Sequence, residues 1–299
     1  MLKSPLTFLA LTFLSVLCAS NAFAQARVVA SIKPLQLIAA AITDGVSEPA
    51  VIIPANQSPH HFTLRPSDVS RLVQADVVLW VGAGMETYLT GVLQRSDGAA
   101  KVIEAATLAS VRLLPLTQDE HGHGHPGGQY DPHLWLDTGN AMALAQALHD
   151  ELVLLDATNA ARYSSNLAHF ESSLTALEKD LQQRFTTLRG IPYAVYHNGT
   201  HYLEKQMGLE HAFVLVPDHE IQPGIRHLLA IRSSLQTLRP VCLLQDINTN
   251  EATVKTVFQG YSLRQITLDT LGDTQPLGRD GYVGLINTLA SAIAVCLAP

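Results

Sequence analysis

The sequence is short of charge. Asp, Glu, Lys and Arg make up only 15% of its 299 residues, a composition that excludes a disordered polyelectrolyte and leaves ample apolar material for a core. The charge present leans acidic, with a formal net of −7, which argues against nucleic acid as a partner. After residue 24 no apolar run is long enough to span a membrane, since a span needs roughly 20 such residues. No H-E-x-x-H and no C-x-x-C occurs, so no local zinc or redox motif is present. The two halves of the chain share no visible sequence repeat.

The leading segment has the pattern of an export signal. Lys3 supplies a positive start, Leu6 to Leu17 is mostly apolar, and Ala22-Phe23-Ala24 is a small-x-small cleavage site. Cleavage is expected after Ala24. Cys18 invites a lipid-anchor reading, but Leu17 stands where such anchors want a small residue. An exported chain without residues 1–24 keeps two cysteines, Cys242 and Cys296. An even pair in an oxidising compartment reads as a disulfide. It would close a loop of about 55 residues and add about 4 kcal/mol on the chain-entropy model. The alternative is two buried free thiols.

The remainder exceeds the usual size of one domain and predicts two. Short apolar strands at 28–31, 51–53, 77–81 and 102–103 alternate with helices beginning at Pro34 and near Ser67 or Asp68. A run at 134–136 leads into a helix over 140–155. From 159 to 188 there is neither Gly nor Pro, and Leu167, Phe170, Leu174, Leu177, Leu181 and Phe185 recur at intervals of three and four. That spacing predicts one amphipathic helix of about 30 residues, about 45 Å long. Alternation then resumes, with strands at 193–196, 213–216, 241–244 and 265–268 and a closing helix over 284–296. The expected fold is α/β: two similar lobes, 25–157 and 189–299, each a mainly parallel sheet flanked by helices, joined by a rigid helix at 158–188.

Residues 119–128 read DEHGHGHPGG and cannot pack a core. His121, His123 and His125, with Asp119 and Glu120, bring ligand groups together in a flexible loop. Imidazole is a common ligand for transition metals, so the tract is a candidate secondary metal site. Four other segments place a ligand-capable residue at one end of a strand-like run: SPHHF with His60 and His61, DPHLW with His133, AVYHN with His197, and LLQD with Asp246. In α/β sheets, ligands gather at the carboxyl ends of strands.

The residues around these positions carry a resemblance. SPHHFTLRPSDVSRLVQADVVLWVGAGMETYL, DPHLWLD, YHNGTHYLEKQMGL, HEIQPG and LLQDINTNEATV together resemble the periplasmic metal-binding proteins of cluster 9 ABC transporters, and within them the ZnuA-type zinc-binding family. The resemblance covers nearly all of the chain after the signal. It implies a zinc-capturing protein in the periplasm that acts as a monomer and delivers Zn²⁺ to the membrane permease of an ABC importer. It puts His60, His133 and His197 on the metal, with Asp246 as a fourth ligand or the holder of a bound water. His61 stands where the family usually has an acidic residue; it is an alternative first ligand, but adjacent residues in an extended segment face opposite ways, so it is expected to point outward. His201 and His219 read as polar surface residues, and Glu204 and Lys205 as a solvated helix face.

Manganese- and iron-type relatives tend to carry a carboxylate at the position of His197, so a manganese or iron carrier is the nearest rival reading. A zinc hydrolase, with three ligands and an activated water, is the more distant one.

Overall fold

The computed structural model describes residues 25–95, 100–116, 130–216 and 223–298. Residues 1–24, read above as an export signal, the His-rich tract and His219 lie outside the described residues.

The N-terminal lobe is built on four parallel strands: β1 (Val28–Ala30), β2 (Ala50–Val51), β3 (Val77–Trp80) and β4 (Lys101–Glu104), in the order β2-β1-β3-β4. The inner strand β3 is buried along its whole length, as a sheet covered on both faces requires. Helices α1 (Lys33–Thr43), α2 (Pro66–Gln74), α3 (Thr87–Leu93) and α4 (Thr138–Leu155) belong to this lobe. Pro34 opens α1, where its missing N–H costs nothing. At the start of α2 the Asp68 carboxylate reaches back to accept the Arg65 N–H at 2.9 Å, half of a capping box.

The long helix α5 (Ala160–Arg184) has 25 residues, so about 38 Å. With the 3-10 turn Ala157–Asn159 that leads directly into it, the helical stretch runs 28 residues, in line with the length that the absence of breakers predicts. Phe185, four residues after Leu181, is fully buried, and its N–H still bonds the Leu181 carbonyl, so it lies on the buried stripe that the spacing predicts. The C-terminal lobe follows with β5 (Ala194–Val195), β6 (Phe213–Val214), β7 (Cys242–Asp246) and β8 (Arg264–Leu268), again all parallel, in the order β6-β5-β7-β8. Helices α6 (His201–Met207), α7 (Ile225–Leu238), α8 (Glu251–Val257) and α9 (Gly281–Leu297) flank it. The two lobes therefore share one topology without sharing a sequence.

The lobes do not have separate interiors. One apolar cluster runs from β1 and β3 through α4 and the buried stripe of α5 to α9, taking in Val78, Leu144, Phe170, Leu181 and Ile286. A smaller cluster, with Leu215, Leu235 and Phe258, fills the far side of the second sheet. Asn166 on α5 ties the elements further: its Nδ2 donates to the Ile42 and Asp44 carbonyls at 2.8 and 2.9 Å, at the end of α1. A disulfide joins Cys242 on β7 to Cys296 on α9, with Cα atoms 5.6 Å apart. Among the described residues no helix is long and apolar enough to cross a membrane.

Candidate metal site

In each sheet the first strand has the second on one side and the third on the other. The connections thus diverge between β5 and β7, which leaves a crevice at their carboxyl ends. His197 lies two residues beyond β5, and Asp246 is the last residue of β7. These two sit at strand ends, as the sequence suggests. The other two segments differ. His60 lies in irregular chain between β2 and α2, and His133 immediately precedes a 3-10 turn, Leu134–Leu136, that runs into α4. In both, a Pro precedes the histidine, and in DPHLW the short apolar run is too close to a helix start to extend.

The three histidines nevertheless converge. Their ring centres are 5.5 Å apart for His60 and His133, 5.3 Å for His133 and His197, and 6.3 Å for His60 and His197. One nitrogen from each lies within 4.8 Å of the others. They line a cavity of about 60 Å³ between the lobes, with Trp135, Asp246 and Asp269 also on its wall. A single water needs only about 10–15 Å³ of such space, so the cavity admits an ion with water beside it.

The His133 ring is held in one orientation. The Asp131 side chain is buried, and its Oδ1 accepts the His133 backbone N–H at 3.0 Å and lies 2.7 Å from His133 Nδ1. With the carboxylate at Nδ1 the ring proton sits there, and Nε2 keeps its lone pair for a ligand. Burial alone would raise the Asp131 carboxyl. The facing His133, its hydrogen bonds and the contact from His201 outweigh it and hold the group well below the usual carboxylate range. The segment is clamped from the second lobe as well. Tyr202 donates its hydroxyl to the Asp131 carbonyl at 2.9 Å, Trp135 Nε1 donates to the Thr270 carbonyl at 3.1 Å, and Tyr282 donates to the Trp135 carbonyl at 2.7 Å. The His60 segment is tied down by Tyr88, which donates to the Pro59 carbonyl at 2.8 Å.

A sequence model of the family described as "Zinc-uptake complex component A periplasmic" matches residues 28–296. The chain belongs to this family. Among its relatives is the high-affinity zinc uptake system protein ZnuA of Yersinia pestis, 36% identical with 95% of each chain covered. The ZnuA protein of Brucella abortus (strain 2308) is 30% identical with 97% of each covered. A crystal structure of a ZnuA protein superimposes with a TM-score of 0.77 at 21% identity, covering 91% of this chain and 99% of that one. FpvC from Pseudomonas aeruginosa, solved in complex with Mn²⁺, gives 0.76 at 23% identity, covering 91% and 98%. These likenesses establish the two-lobed ZnuA fold.

Within that ZnuA frame some side chains fall where the sequence suggests and others do not. Asp246 lines the cavity but stands outside the three-nitrogen cluster, and its Oδ1 accepts the Asn248 N–H at 2.8 Å. His61 is exposed and outside the cluster. His201 and Glu204, expected on the surface, are buried at 8% and 1% exposure. Glu204 accepts the Thr200 hydroxyl at 2.7 Å and lies 2.7 Å from His211 Nδ1, so α6 turns its first acidic residue inward. Lys205 is exposed, as expected. Asp131 escapes the sequence reading altogether. The signal for it was an Asp two residues before a histidine, the spacing of a side chain that bonds its own backbone two residues on.

Proposed function

We propose that this protein captures Zn²⁺ in the periplasm and hands it to the membrane permease of an ABC-type importer. The observation that carries the reading is the convergence of His60, His133 and His197, from three distant segments, on one small cavity between the lobes. These residues would bind the ion through neutral imidazole nitrogens. Three nitrogens suit zinc better than manganese, which prefers more oxygen. Asp246, on the same wall, would accept a hydrogen bond from a water completing the shell or ligate directly. The names borne by the relatives support zinc as the cargo. Export with cleavage after Ala24 would deliver the chain to the compartment where the family works.

Competition titration of the metal-free protein with Zn²⁺ and Mn²⁺, together with an anomalous-scattering map of the loaded protein, tests this. Zinc is expected to bind more tightly, and the map to show one ion among the three rings. Tighter Mn²⁺ binding, or an ion elsewhere, would overturn the reading.

A further inference from the structure

We propose that His201 is a positioning residue for the metal site, acting on His133 through Asp131. The proposal rests on the reading of His133 as a zinc ligand, and it goes beyond that reading to a residue that does not itself reach the ion.

Asp131 has two oxygens with different duties. Oδ1 is taken by the backbone and ring of His133. Oδ2 is buried and faces His201 Nδ1 at 3.4 Å. Neither atom has a hydrogen-bond partner among the described residues, and the 3.4 Å approach is an ion-pair contact without hydrogen-bond geometry, so each is the polar group that the other faces. A carboxylate oxygen removed from water without a counterpart is costly. Without His201 the carboxylate would gain by turning Oδ2 toward another donor, and the donors it already engages are those of His133. The bond that fixes the ring would then be shared or lost. His201 thus holds the carboxylate in the rotation that leaves Oδ1 on His133 Nδ1.

The arrangement links two ligands from different lobes. His201 and Tyr202 open α6, four and five residues after His197. Tyr202 grips the Asp131 carbonyl while His201 faces its carboxylate. The first turn of α6 therefore sets where His133 stands relative to His197. His201 does not belong to the three-nitrogen cluster, so its contribution is orientation, not ligation.

The experiment uses the full exported chain and three variants, His201→Phe, His201→Asn and His133→Ala. Zinc affinity is read by competition with a chromophoric chelator at one pH, and the His133 tautomer by ¹⁵N NMR of the metal-free proteins. Loss of an outer partner typically costs about 10- to 100-fold in metal affinity. His201→Phe is expected to fall in that range and to show a mixed His133 tautomer. His201→Asn, whose amide can donate from nearly the same place, is expected to stay within about threefold of the parent. Equal binding by His201→Phe and the parent overturns the proposal. So does an equally weak His201→Asn, or weakened binding with an unchanged His133 tautomer, which is what general structural damage gives. If His133→Ala binds zinc as the parent does, the site reading itself falls and this inference with it. If His133→Ala loses binding and His201→Phe does not, only the positioning role falls.

Discussion

Asp131 Oδ1 lies 2.7 Å from His133 Nδ1 and also accepts the backbone N–H of the same residue at 3.0 Å. One oxygen thus fixes both the main chain and the ring. Asp131→Asn keeps the volume but offers a weaker, uncharged acceptor. Zinc affinity is expected to fall by about 10- to 100-fold, with the metal-free protein still folded by circular dichroism. An affinity unchanged by the substitution would show that the ring needs no such partner.

Glu86 gives the chain a stability that depends on pH. It is fully buried, and its Oε2 accepts the Val81 N–H at 2.8 Å. Burial raises its carboxyl from 4.5 to about 7, against the opposing hydrogen bonds from Ser31, Val81 and Gly82. Because the folded value exceeds the unfolded one, the group's contribution is complete below pH 4.5 and is lost as pH rises through about 7. The loss is on the order of 3 kcal/mol. Urea unfolding of the parent and Glu86→Gln at pH 4.5 and pH 8 checks this. The variant should lose less stability between the two.

The Cys242–Cys296 bond joins β7, which ends at the cavity, to the last helix across a separation of 54 residues. Replacing both cysteines by Ser should cost about 4 kcal/mol by removing the constraint on the unfolded chain. Chemical denaturation measures it. Mass spectrometry of the unreduced and reduced parent should differ by two hydrogens. An identical mass would mean two free thiols.

Asn166 is buried on α5 and donates to two carbonyls at the end of α1. Asn166→Ala leaves the last carbonyls of α1 without that donor and should destabilise by about 1–3 kcal/mol. Calorimetry of the metal-free protein would register it. No change would mean that water replaces the amide at no cost.

The layers of this fold are legible in the chain because they rest on local signals. The unbroken apolar run of β3, the Pro at the head of α1 and the three-and-four spacing of Leu167, Phe170, Leu174, Leu177 and Leu181 each state their own structure. The candidate ligands stand out through their surroundings, not their spacing, since Pro-His pairs in irregular chain carry no periodicity. What stayed hidden depends on distant contacts. His201 and Glu204 begin a short helix with polar residues, a pattern that normally faces water. Only the placement of Asp131, 70 residues upstream of His201, and of His211 beyond the helix end gives these polar groups reason to be inside.

The apolar interior that passes unbroken from the first sheet through α5 to α9 makes the halves one folding unit. A chain severed in the 3-10 turn Ala157–Asn159 would leave each piece with an oily flank meant for the other. Neither fragment should persist alone in solution, and mixing them should restore a single cooperative melt.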